Sequence, residues 1–365
     1  MFSEKVRSID ISGIRKMFEG AGPNAINLGL GQPDFDTPEH IKKGAVQALS
    51  EGFTGYTANL GIPELRQALC GKFEKENHFS VRPDEIIVTS GASEALHLAL
   101  SALIDPGDEV LMPDPGFVSY SALTKIAGGR ATGVPLDEKL TMKPDAVNEC
   151  ITPKTKAIIL NSPSNPTGTV EKKQEIKALA EIADDNDITI ISDEVYEHFI
   201  YEGEHTSPAQ FSDNVITINA VSKTYAMTGW RIGYAAARKD YIEQMLKVHQ
   251  YIQACACSIS QKAALAAITG PQDCVGEMRD SFKIRRDLLL EGLSAMGIRC
   301  VRPEGAFYAF PEVGDKDAAQ KLLKSGVIVA PGEAFGNNGK GHIRISYATS
   351  EANLKRALGI MGKVL

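Results

Sequence analysis

The sequence predicts an α/β fold, with a large domain built on a mostly parallel sheet between helices and a smaller α+β domain. From about residue 84, short apolar runs recur, and each is followed by a loop rich in Gly, Pro, Ser or Asn and then by a longer stretch with helical periodicity. Near residue 280 this rhythm changes to a long charged helix and short strands. We therefore place the large domain at residues 47–282 and the smaller domain at residues 1–46 and 283–365.

Apolar runs mark the candidate strands of the large sheet. They are EIIVTS (85–90), EVLMPD (109–114), KAIILNS (156–162), ITIISD (188–193), VITINA (215–220) and RIGYAAA (231–237). Because these runs are apolar on both faces, they are typical of buried, mostly parallel strands. The stretches SEALHLALSAL (93–103) and KKQEIKALAEIADDN (172–186) are predicted helices that follow such strands.

The smaller domain is predicted from the last part of the chain. FKIRRDLLLEGLSAMG predicts a long helix, and GAFYAFP, GVIVAPG and HIRISYA predict strands before a closing helix. The amino-terminal helix and the loop around GLGQPDFDTPEH precede the large sheet and have no sheet partner of their own. We therefore expect both to pack with the smaller domain.

Composition excludes some classes of partner. Hydrophobic residues make up 43% of the 365 residues and charged residues 23%, and the net charge is -7. A nucleic-acid or acidic-membrane surface needs clustered positive charge, which this balance does not favour. No apolar run is long enough to span a membrane, and the charged amino terminus is unlike a secretion signal. We expect a cytoplasmic protein without a nucleic-acid or membrane partner.

The six cysteines are scattered, without a C-x-x-C pair or histidines at metal-ligand spacing. We expect reduced, mostly buried thiols and no metal site. Cys255 and Cys257 alternate as strand positions do, and we interpret them as small core residues.

Polar residues follow three successive apolar runs of the predicted sheet. Asn165 follows the run that ends near residue 160, Asp193 and Tyr196 follow the next, and Ser222 and Lys223 follow the third. Successive members lie roughly thirty residues apart, about the length of one βαβ unit. Ligands bind at the carboxyl ends of strands in open parallel sheets, so these side chains are predicted to meet in one crevice.

A lysine, an acid, a phenol and an amide in one crevice indicate pyridoxal 5'-phosphate (PLP) chemistry. Lys223 would form an imine with the cofactor's aldehyde, and Asp193 would keep the pyridine nitrogen protonated by its opposite charge. Tyr196 and Asn165 would donate hydrogen bonds to the phenolate oxygen of the ring, which lowers the pKa of the imine. This combination predicts Lys223 as the catalytic residue.

Phosphate binding is predicted at two places. Arg231 lies eight positions after Lys223, and a guanidinium matches phosphate oxygens bidentately. In VTSGASEALHLAL, a strand, a small-residue loop and a helix follow each other, so the backbone amides of Ala92 and Ser93 would face an anion. Phe117, in DPGFVSY, would stack on the pyridine face or lie in the core.

These residues resemble the fold type I PLP enzymes, and more closely the aspartate/aromatic aminotransferases of the class I and II group. The resemblance covers nearly the whole chain and implies a seven-stranded sheet in the large domain. The matching segments are GLGQPDFDTPEHI, GYTANLGIPELRQAL, SGASEALHLAL, DPGFVSY, NSPSNPTG, ISDEVYEHFIY, SKTYAMTGWRIGY, EGAFYAFP and HIRISYAT.

The resemblance implies a role for each site residue. Lys223 looks like the Schiff-base lysine, Asp193 the partner of the pyridine nitrogen, and Asn165 and Tyr196 the donors to the phenolate oxygen. Phe117 looks like the stacking ring. The residues that resemble the phosphate cup are Gly91, Ala92, Ser93, Ser222 and Arg231.

The substrate site and the assembly are also implied by the resemblance. Arg344 resembles the arginine that binds the substrate α-carboxylate, with Asn165 and the backbone of Gly31 assisting. Tyr56 resembles the tyrosine that reaches the phosphate of a neighbouring subunit. A homodimer with shared active sites follows from that role.

The expected activity is transfer of the amino group of an L-amino acid, aspartate/glutamate or aromatic, to a 2-oxo acid such as 2-oxoglutarate by a ping-pong mechanism. A lyase, racemase or decarboxylase with the same cofactor is the first alternative, and Arg344 disfavours it. A PLP-binding regulator is the second, and the chain leaves no room for a DNA-binding module. A nucleotide-dependent enzyme is the third, and no G-x-G-x-x-G opens the first strand-helix turn.

Overall fold

The computed structural model describes residues 2–9, 22 and 24–365. Residues 10–21 of the predicted amino-terminal segment lie outside this range. The strands are β1 Ile26–Asn27, β2 Ile86–Thr89, β3 Glu109–Asp114, β4 Arg130–Pro135, β5 Thr155–Asn161, β6 Thr189–Asp193, β7 Val215–Ala220, β8 Gly233–Ala236, β9 Tyr308–Ala309, β10 Val327–Ile328, β11 Ala330–Pro331 and β12 Ile343–Ser346.

A seven-stranded sheet forms the centre of the fold, in the order β2-β8-β7-β6-β5-β3-β4. Strand β8 runs antiparallel to both of its neighbours, and the other pairs are parallel. The predicted mostly parallel sheet is therefore confirmed. Asn161 of β5 pairs with Asp193 of β6, which pairs with Ile218 of β7, so the carboxyl ends of these strands lie side by side.

The edge strand β4 was not among the predicted strands. Its sequence, RATGVP, buries only Val134, because both faces of this edge strand are partly exposed, unlike those of the other edge strand, β2. It therefore lacks the continuous apolar run that marks the other six strands. The six predicted runs agree with β2, β3, β5, β6, β7 and β8 to within about two residues at each end.

Helices cover both faces of the large sheet and also pack against the small sheets. They are α1 Glu4–Arg7, α2 Glu39–Ser50, α3 Pro63–Lys72, α4 Ala92–Leu103, α5 Val118–Ala127, α6 Pro144–Cys150, α7 Lys173–Asp185, α8 Val221–Thr224, α9 Lys239–Ile252, α10 Ser258–Thr269, α11 Asp273–Ala295, α12 Ala318–Lys324 and α13 Glu351–Val364. The predicted helices at 93–103 and 172–186 correspond to α4 and α7. Within the described residues, no helix is both long enough and apolar enough to cross a membrane.

Two small sheets lie beside the long helix α11. Strand β1 pairs in parallel with β10, and β12 lies between β11 and β9 in an antiparallel sheet. Ile26 and Leu28 share a core with Phe282 of α11 and Leu354 of α13. The segment before the large sheet thus packs with the strands of the last part of the chain, while the domain bounds stay a prediction.

The described part of the predicted amino-terminal helix makes a contact that we did not expect. Helix α1 contacts α5, a helix of the large sheet. The packing of residues 10–21, outside the described range, stays a prediction. The Lys125 side chain of α5 donates a hydrogen bond to the carbonyl of Ser8, at 3.4 Å. The sequence of α1 carries no apolar stripe, so it gave no signal for the surface it would contact.

A buried polar cluster lies behind the carboxyl ends of β6 and β7. Lys72 Nζ donates to Glu197 Oε1 and, at 2.6 Å, to Asn77 Oδ1. Asn77 Nδ2 and Asn219 Nδ2 each donate to the Glu197 carboxylate at 2.6 Å. Burial alone would raise the pKa of Glu197, but the charge of Lys72 and of two nearby histidines lowers it to about 2. Glu197 is therefore ionised at neutral pH and depends on Lys72.

Two sets of side chains in this cluster lie close enough to share a metal ion. They are Glu76, Glu197 and His198, and Glu194, Glu197 and His205. The Lys72 ammonium lies between these acids, 3.7 Å from Glu76 and hydrogen-bonded to Glu197, and so already supplies positive charge. The absence of a metal site stays a prediction.

Replacing Lys72 with Met should lower the free energy of unfolding by about 3–5 kcal/mol at neutral pH, because the Glu197 carboxylate stays buried without its partner. The difference between the variant and the parent should shrink as the pH falls from about 4.3, the pKa of an unfolded glutamate, toward the folded value of about 2. Denaturant unfolding at several pH values measures both effects.

The matched control is Lys75→Met, in the same turn but exposed. This variant should change the unfolding free energy by less than about 0.5 kcal/mol. Equal stability of the two variants at neutral pH would show that the buried ion pair contributes nothing.

Candidate active site

A cavity of about 260 Å³ lies at the carboxyl ends of β5, β6 and β7, where α4 begins. Most of the side chains predicted from the sequence line it. They are Gly31, Ala92, Ser93, Phe117, Asn165, Asp193, Tyr196, Ser222, Lys223, Arg231 and Arg344. Gly91 lies beside the cavity wall, and Tyr56 lies outside the cavity.

Lys223 lies on the short helix α8, directly after β7. Its Nζ donates a hydrogen bond to the Gly31 carbonyl at 2.7 Å. Burial, together with the charges of Arg344 and Arg231, lowers the pKa of Lys223 to about 8, while Asp193 opposes this shift. A pKa near 8 leaves roughly a tenth of the amine unprotonated at pH 7, far more than an ordinary lysine.

Asp193 is the last residue of β6 and is buried. The Tyr120 hydroxyl donates to Asp193 Oδ2 at 2.8 Å, and Asn161 Nδ2 donates to the Asp193 carbonyl at 2.9 Å. Burial raises the pKa of Asp193 to about 6, while the Tyr120 hydrogen bond and the charge of Lys223 lower it. A cationic group in the cavity would hold this carboxylate in its charged form.

Tyr196 and Asn165 lie on the segments that follow β6 and β5. The Tyr196 and Tyr308 hydroxyls are 2.9 Å apart, and burial raises the pKa of Tyr196 well above its usual value. Asn165 N–H donates to Asn161 Oδ1 at 2.8 Å, and Asn165 Oδ1 accepts from Arg344 Nη1 at 2.9 Å. Tyr196 therefore stays protonated, and Asn165 is held by contacts on both sides.

The turn before α4 forms an anion-binding corner. Ala92 and Ser93 are the first residues of this helix, where backbone N–H groups and the helix dipole favour negative charge. Arg231 Nη2 donates to the Ser90 carbonyl at 3.2 Å. Gly91 has a φ of 83°, and a Cβ there would lie 2.3 Å from Arg231 Nη2. Only glycine allows both this backbone conformation and this approach of the guanidinium.

The same turn is also held from the far side of α4. The Glu94 carboxylate accepts a hydrogen bond from Ser90 N–H, and His249 Nδ1 lies 2.8 Å from Glu94 Oε1. His249 is fully buried on α9. Ser222, which also lines the cavity, is buried on α8 beside Lys223.

Arg344 lies on β12 and is 2% exposed. It donates to Asn165 and to the Gly29 carbonyl. Its Cζ lies 4.5 Å from the Tyr308 ring centre and 4.9 Å from that of Phe335, so the guanidinium is held by two aromatic rings. Its Nε has no hydrogen-bond partner among the described residues. A buried cation with an unpartnered donor is suited to an anionic ligand such as a carboxylate.

Tyr56 and the segment that carries Cys255 and Cys257 lie outside the cavity. Tyr56 is 91% exposed, so its role in a neighbouring subunit stays a prediction. The segment YIQACACSIS forms the end of α9, a turn and the start of α10, so Cys255 and Cys257 do not lie on a strand. Cys257 is exposed and Cys255 is half-buried, so their interpretation as core residues is wrong, and of the six thiols only that of Cys70 is buried. None of the residues of this segment lines the cavity formed by the described chain.

Sequence reasoning missed several residues of the cavity wall. They are Tyr120, Tyr308, Asn161 and Gly29, which contact the predicted residues as described above. Tyr120 follows Phe117 by three positions, so a helix beginning at Val118 could have placed both near the site. Asn161 ends β5 and is likewise a polar residue at a strand terminus. Nothing in the sequence marked Tyr308 as a site residue, because its neighbours in GAFYAFP are apolar and a core position explains it equally well.

Comparisons with known proteins agree with this geometry. The family model described as "Aminotransferase class I and II" matches residues 23–360. A "Probable aspartate aminotransferase" of Methanocaldococcus jannaschii is 50% identical, with full coverage of both chains. An "Aspartate/prephenate aminotransferase" of Thermus thermophilus is 45% identical over 94% of this chain and 92% of that one.

A solved structure is similarly close. The structure titled as an aspartate aminotransferase from Thermus thermophilus with maleate superposes with a TM-score of 0.96, at 42% identity and with full coverage of both chains. The family match spans more than nine-tenths of the sequence, and the fold and the sequence agree along its whole length. The chain therefore belongs to the class I and II aminotransferase family, as an enzyme of the aspartate aminotransferase type.

Proposed function

We propose that this aminotransferase is PLP-dependent and moves the amino group of an L-amino acid, aspartate/glutamate or aromatic, to a 2-oxo acid such as 2-oxoglutarate by a ping-pong mechanism. One observation carries the proposal: Lys223, Asp193 and Arg344 line a single cavity, so an amine, an acid and a cation suited to a carboxylate face the same space. The family match supports the cofactor and the type of reaction.

The residues present fit this cofactor. Arg231 and the turn at Gly91 would bind the phosphate, where a Cβ on residue 91 would displace the guanidinium. Asp193 would pair with the ring nitrogen, and Lys223 would hold the cofactor covalently. When bound, the cofactor supplies the carbon that receives the amino group and a protonated ring that stabilises negative charge developing at the substrate α-carbon. The cavity, at about 260 Å³, is slightly smaller than the usual range for small-ligand sites, which starts at about 300 Å³.

Lys223 is proposed to carry the proton during the reaction. Its pKa of about 8 brings the amine close to the working pH, as general acid-base catalysis requires. In the neutral form, Nζ would remove the α-proton of the substrate and return a proton within the same cavity.

Arg344 is proposed to bind the substrate α-carboxylate, assisted by Asn165 and the backbone of Gly31. Its guanidinium is held in place by Asn165 and by two aromatic rings before a substrate arrives. A held cation loses little conformational freedom on binding, which favours affinity. This binding would orient the α-carbon toward Lys223 Nζ, the group that must reach its proton.

The choice of substrate depends on the residues that would face the substrate's side chain in the cavity. The names of the relatives support aspartate and prephenate as substrate types in the family. Within the described chain, the cations that line the cavity are Lys223, Arg231 and Arg344, and each already has a proposed role. A second substrate carboxylate would need another cation, and an aromatic side chain would not. Assays of a panel of acidic and aromatic amino acids against 2-oxoglutarate distinguish the two classes.

A homodimer with shared active sites and a cytoplasmic location are also proposed. The dimer is proposed from the family resemblance, and the 91% exposure of Tyr56 leaves its side chain free to contact a second copy of the chain. Six free cysteines support a reducing compartment. Sedimentation should give twice the chain mass of 39.3 kDa.

Replacing Lys223 with Ala should abolish transamination while leaving the fold intact, because no other described side chain can hold the cofactor covalently at this position. Turnover assays and circular dichroism measure the two outcomes. The control is Lys239→Ala, an exposed lysine on α9, which should keep full activity. Transamination by the Lys223 variant without added amine would refute the assignment.

Replacing Tyr120 with Phe should lower kcat/KM about tenfold to a hundredfold, the range expected for a lost hydrogen bond to a charged group. The Tyr120 bond lowers the pKa of Asp193, so its loss raises that pKa. The acid limb of the pH profile should therefore move to higher pH. Tyr241→Phe, whose hydroxyl contacts Thr189 outside the cavity, is the control. An unmoved acid limb would contradict this role of Tyr120.

A further inference from the structure

Tyr308 lies where the two halves of the proposed site meet. It is 1% exposed on β9 and lines the cavity. Its hydroxyl is 2.9 Å from the Tyr196 hydroxyl, and its ring centre lies 4.5 Å from Arg344 Cζ. A Cβ on Gly31 would lie 2.0 Å from this hydroxyl, so the backbone of residue 31 packs directly on it. One side chain thus contacts the phenol donor, the carboxylate-binding cation and the segment that holds Lys223.

The direction of the hydrogen bond between the two tyrosines follows from their proton count. A phenol has one proton to donate. Under the proposed function, Tyr196 donates its proton to the phenolate oxygen of the cofactor ring, so its oxygen can only accept from Tyr308. Burial raises the pKa of both hydroxyls, which keeps both protonated. Tyr308 is therefore the donor at the outer end of a two-membered chain.

Charged groups around Tyr308 influence how strongly it donates. Burial raises the pKa of Tyr308, and so does the Asp193 charge. The nearby Arg344 charge and the Tyr196 hydrogen bond lower it. The Lys223 ammonium donates its hydrogen bond to the carbonyl of Gly31, the residue that packs on the Tyr308 hydroxyl. A carboxylate that neutralises Arg344 would make Tyr308 a weaker donor. Hydrogen bonds in a chain strengthen or weaken together, so the bond that Tyr196 donates would weaken as well.

We propose that Tyr308 is a positioning residue that couples the carboxylate-binding end of the site to the cofactor ring. Its ring holds the Arg344 guanidinium, and its hydroxyl sets the strength of the hydrogen bond that Tyr196 donates. Binding of a substrate carboxylate at Arg344 is thereby transmitted to the ring. This inference rests on the proposed function, because it needs a ring oxygen as the acceptor of Tyr196.

The first test separates the hydroxyl from the ring. In the purified holoenzyme, Tyr308→Phe should raise the pH midpoint of the bound cofactor's absorbance by a few tenths of a unit, since cooperative strengthening is about 10–30% per bond. The rise occurs because a weaker bond to the ring oxygen leaves it more basic. The KM for the amino acid should stay within about twofold, because the aromatic ring remains beside Arg344. Saturating maleate should move the midpoint less in the variant than in the parent.

The second test removes the ring. Tyr308→Leu should raise the KM values for both the amino acid and the oxo acid by about threefold to thirtyfold, the range of a buried cation-π contact. The turnover number should change less than the KM values. Tyr347→Phe is the matched control, a fully buried tyrosine after β12 that does not line the cavity, and it should leave midpoint and KM unchanged.

A double-variant comparison tests whether the hydroxyl acts through Tyr196. The midpoint shift caused by Tyr308→Phe should vanish when Tyr196 is already Phe. If Tyr308→Phe fails to fold, Gly31→Ala displaces the same hydroxyl from the opposite side and should raise the midpoint in the same direction.

The outcomes separate the inference from the function on which it rests. An unshifted midpoint in Tyr308→Phe, or a shift that persists in the Tyr196→Phe background, would overturn the coupling. Failure of the unmodified protein to bind PLP would instead refute the proposed function. Binding and normal transamination by the parent, with equal midpoints in parent and variant, leave the function standing and the inference wrong.

Discussion

Two opposite charges in one cavity, the buried Asp193 carboxylate and the half-buried Lys223 ammonium, impose the constraint on which the rest of the site depends. Burial is the largest influence on both, raising the pKa of Asp193 to about 6 and lowering the pKa of Lys223 to about 8. Each charge is less stable than in water, so the fold must supply partners. Tyr120 and the Gly31 carbonyl are those partners. The same burial makes the lysine able to take and return a proton near neutral pH.

The sheet makes this arrangement possible because its central strands are buried up to their last residues. Every residue of β6 and β7 is buried, and Asp193 ends β6. The cluster around Lys72 and Glu197 lies behind the carboxyl ends of these two strands. Glu197 belongs to the same short segment as Asp193 and Tyr196. The ion pair between Lys72 and Glu197 therefore anchors the segment that carries Asp193. Rigid support of this kind is what holds catalytic side chains in place.

Much of the fold and the site could be predicted because both follow from the order of strands, loops and helices along the chain. Apolar runs followed by loops and helices require a parallel sheet, and a parallel sheet brings Asn165, Asp193 and Lys223 to one edge. Contacts between segments far apart in the chain carried no such signal. Tyr120 meets Asp193 across 73 residues, and Tyr308 meets Tyr196 across 112. Strand β4 was missed for a different reason, since an exposed edge strand needs no apolar run.

The geometry around Arg344 explains why this position suits arginine better than lysine. Two aromatic rings, Tyr308 and Phe335, lie within 5 Å of its guanidinium carbon, and a planar cation can present a face to each. Its nitrogens also reach Asn165 and the Gly29 carbonyl in different directions. A lysine ammonium would keep the charge but could not combine both rings with those two acceptors. Because the same Asn165 follows β5, the orientation of the cation is tied to the sheet that positions Lys223. The proposed carboxylate-binding arginine and the proposed proton-carrying lysine are thus both positioned by residues that follow strands of the same sheet.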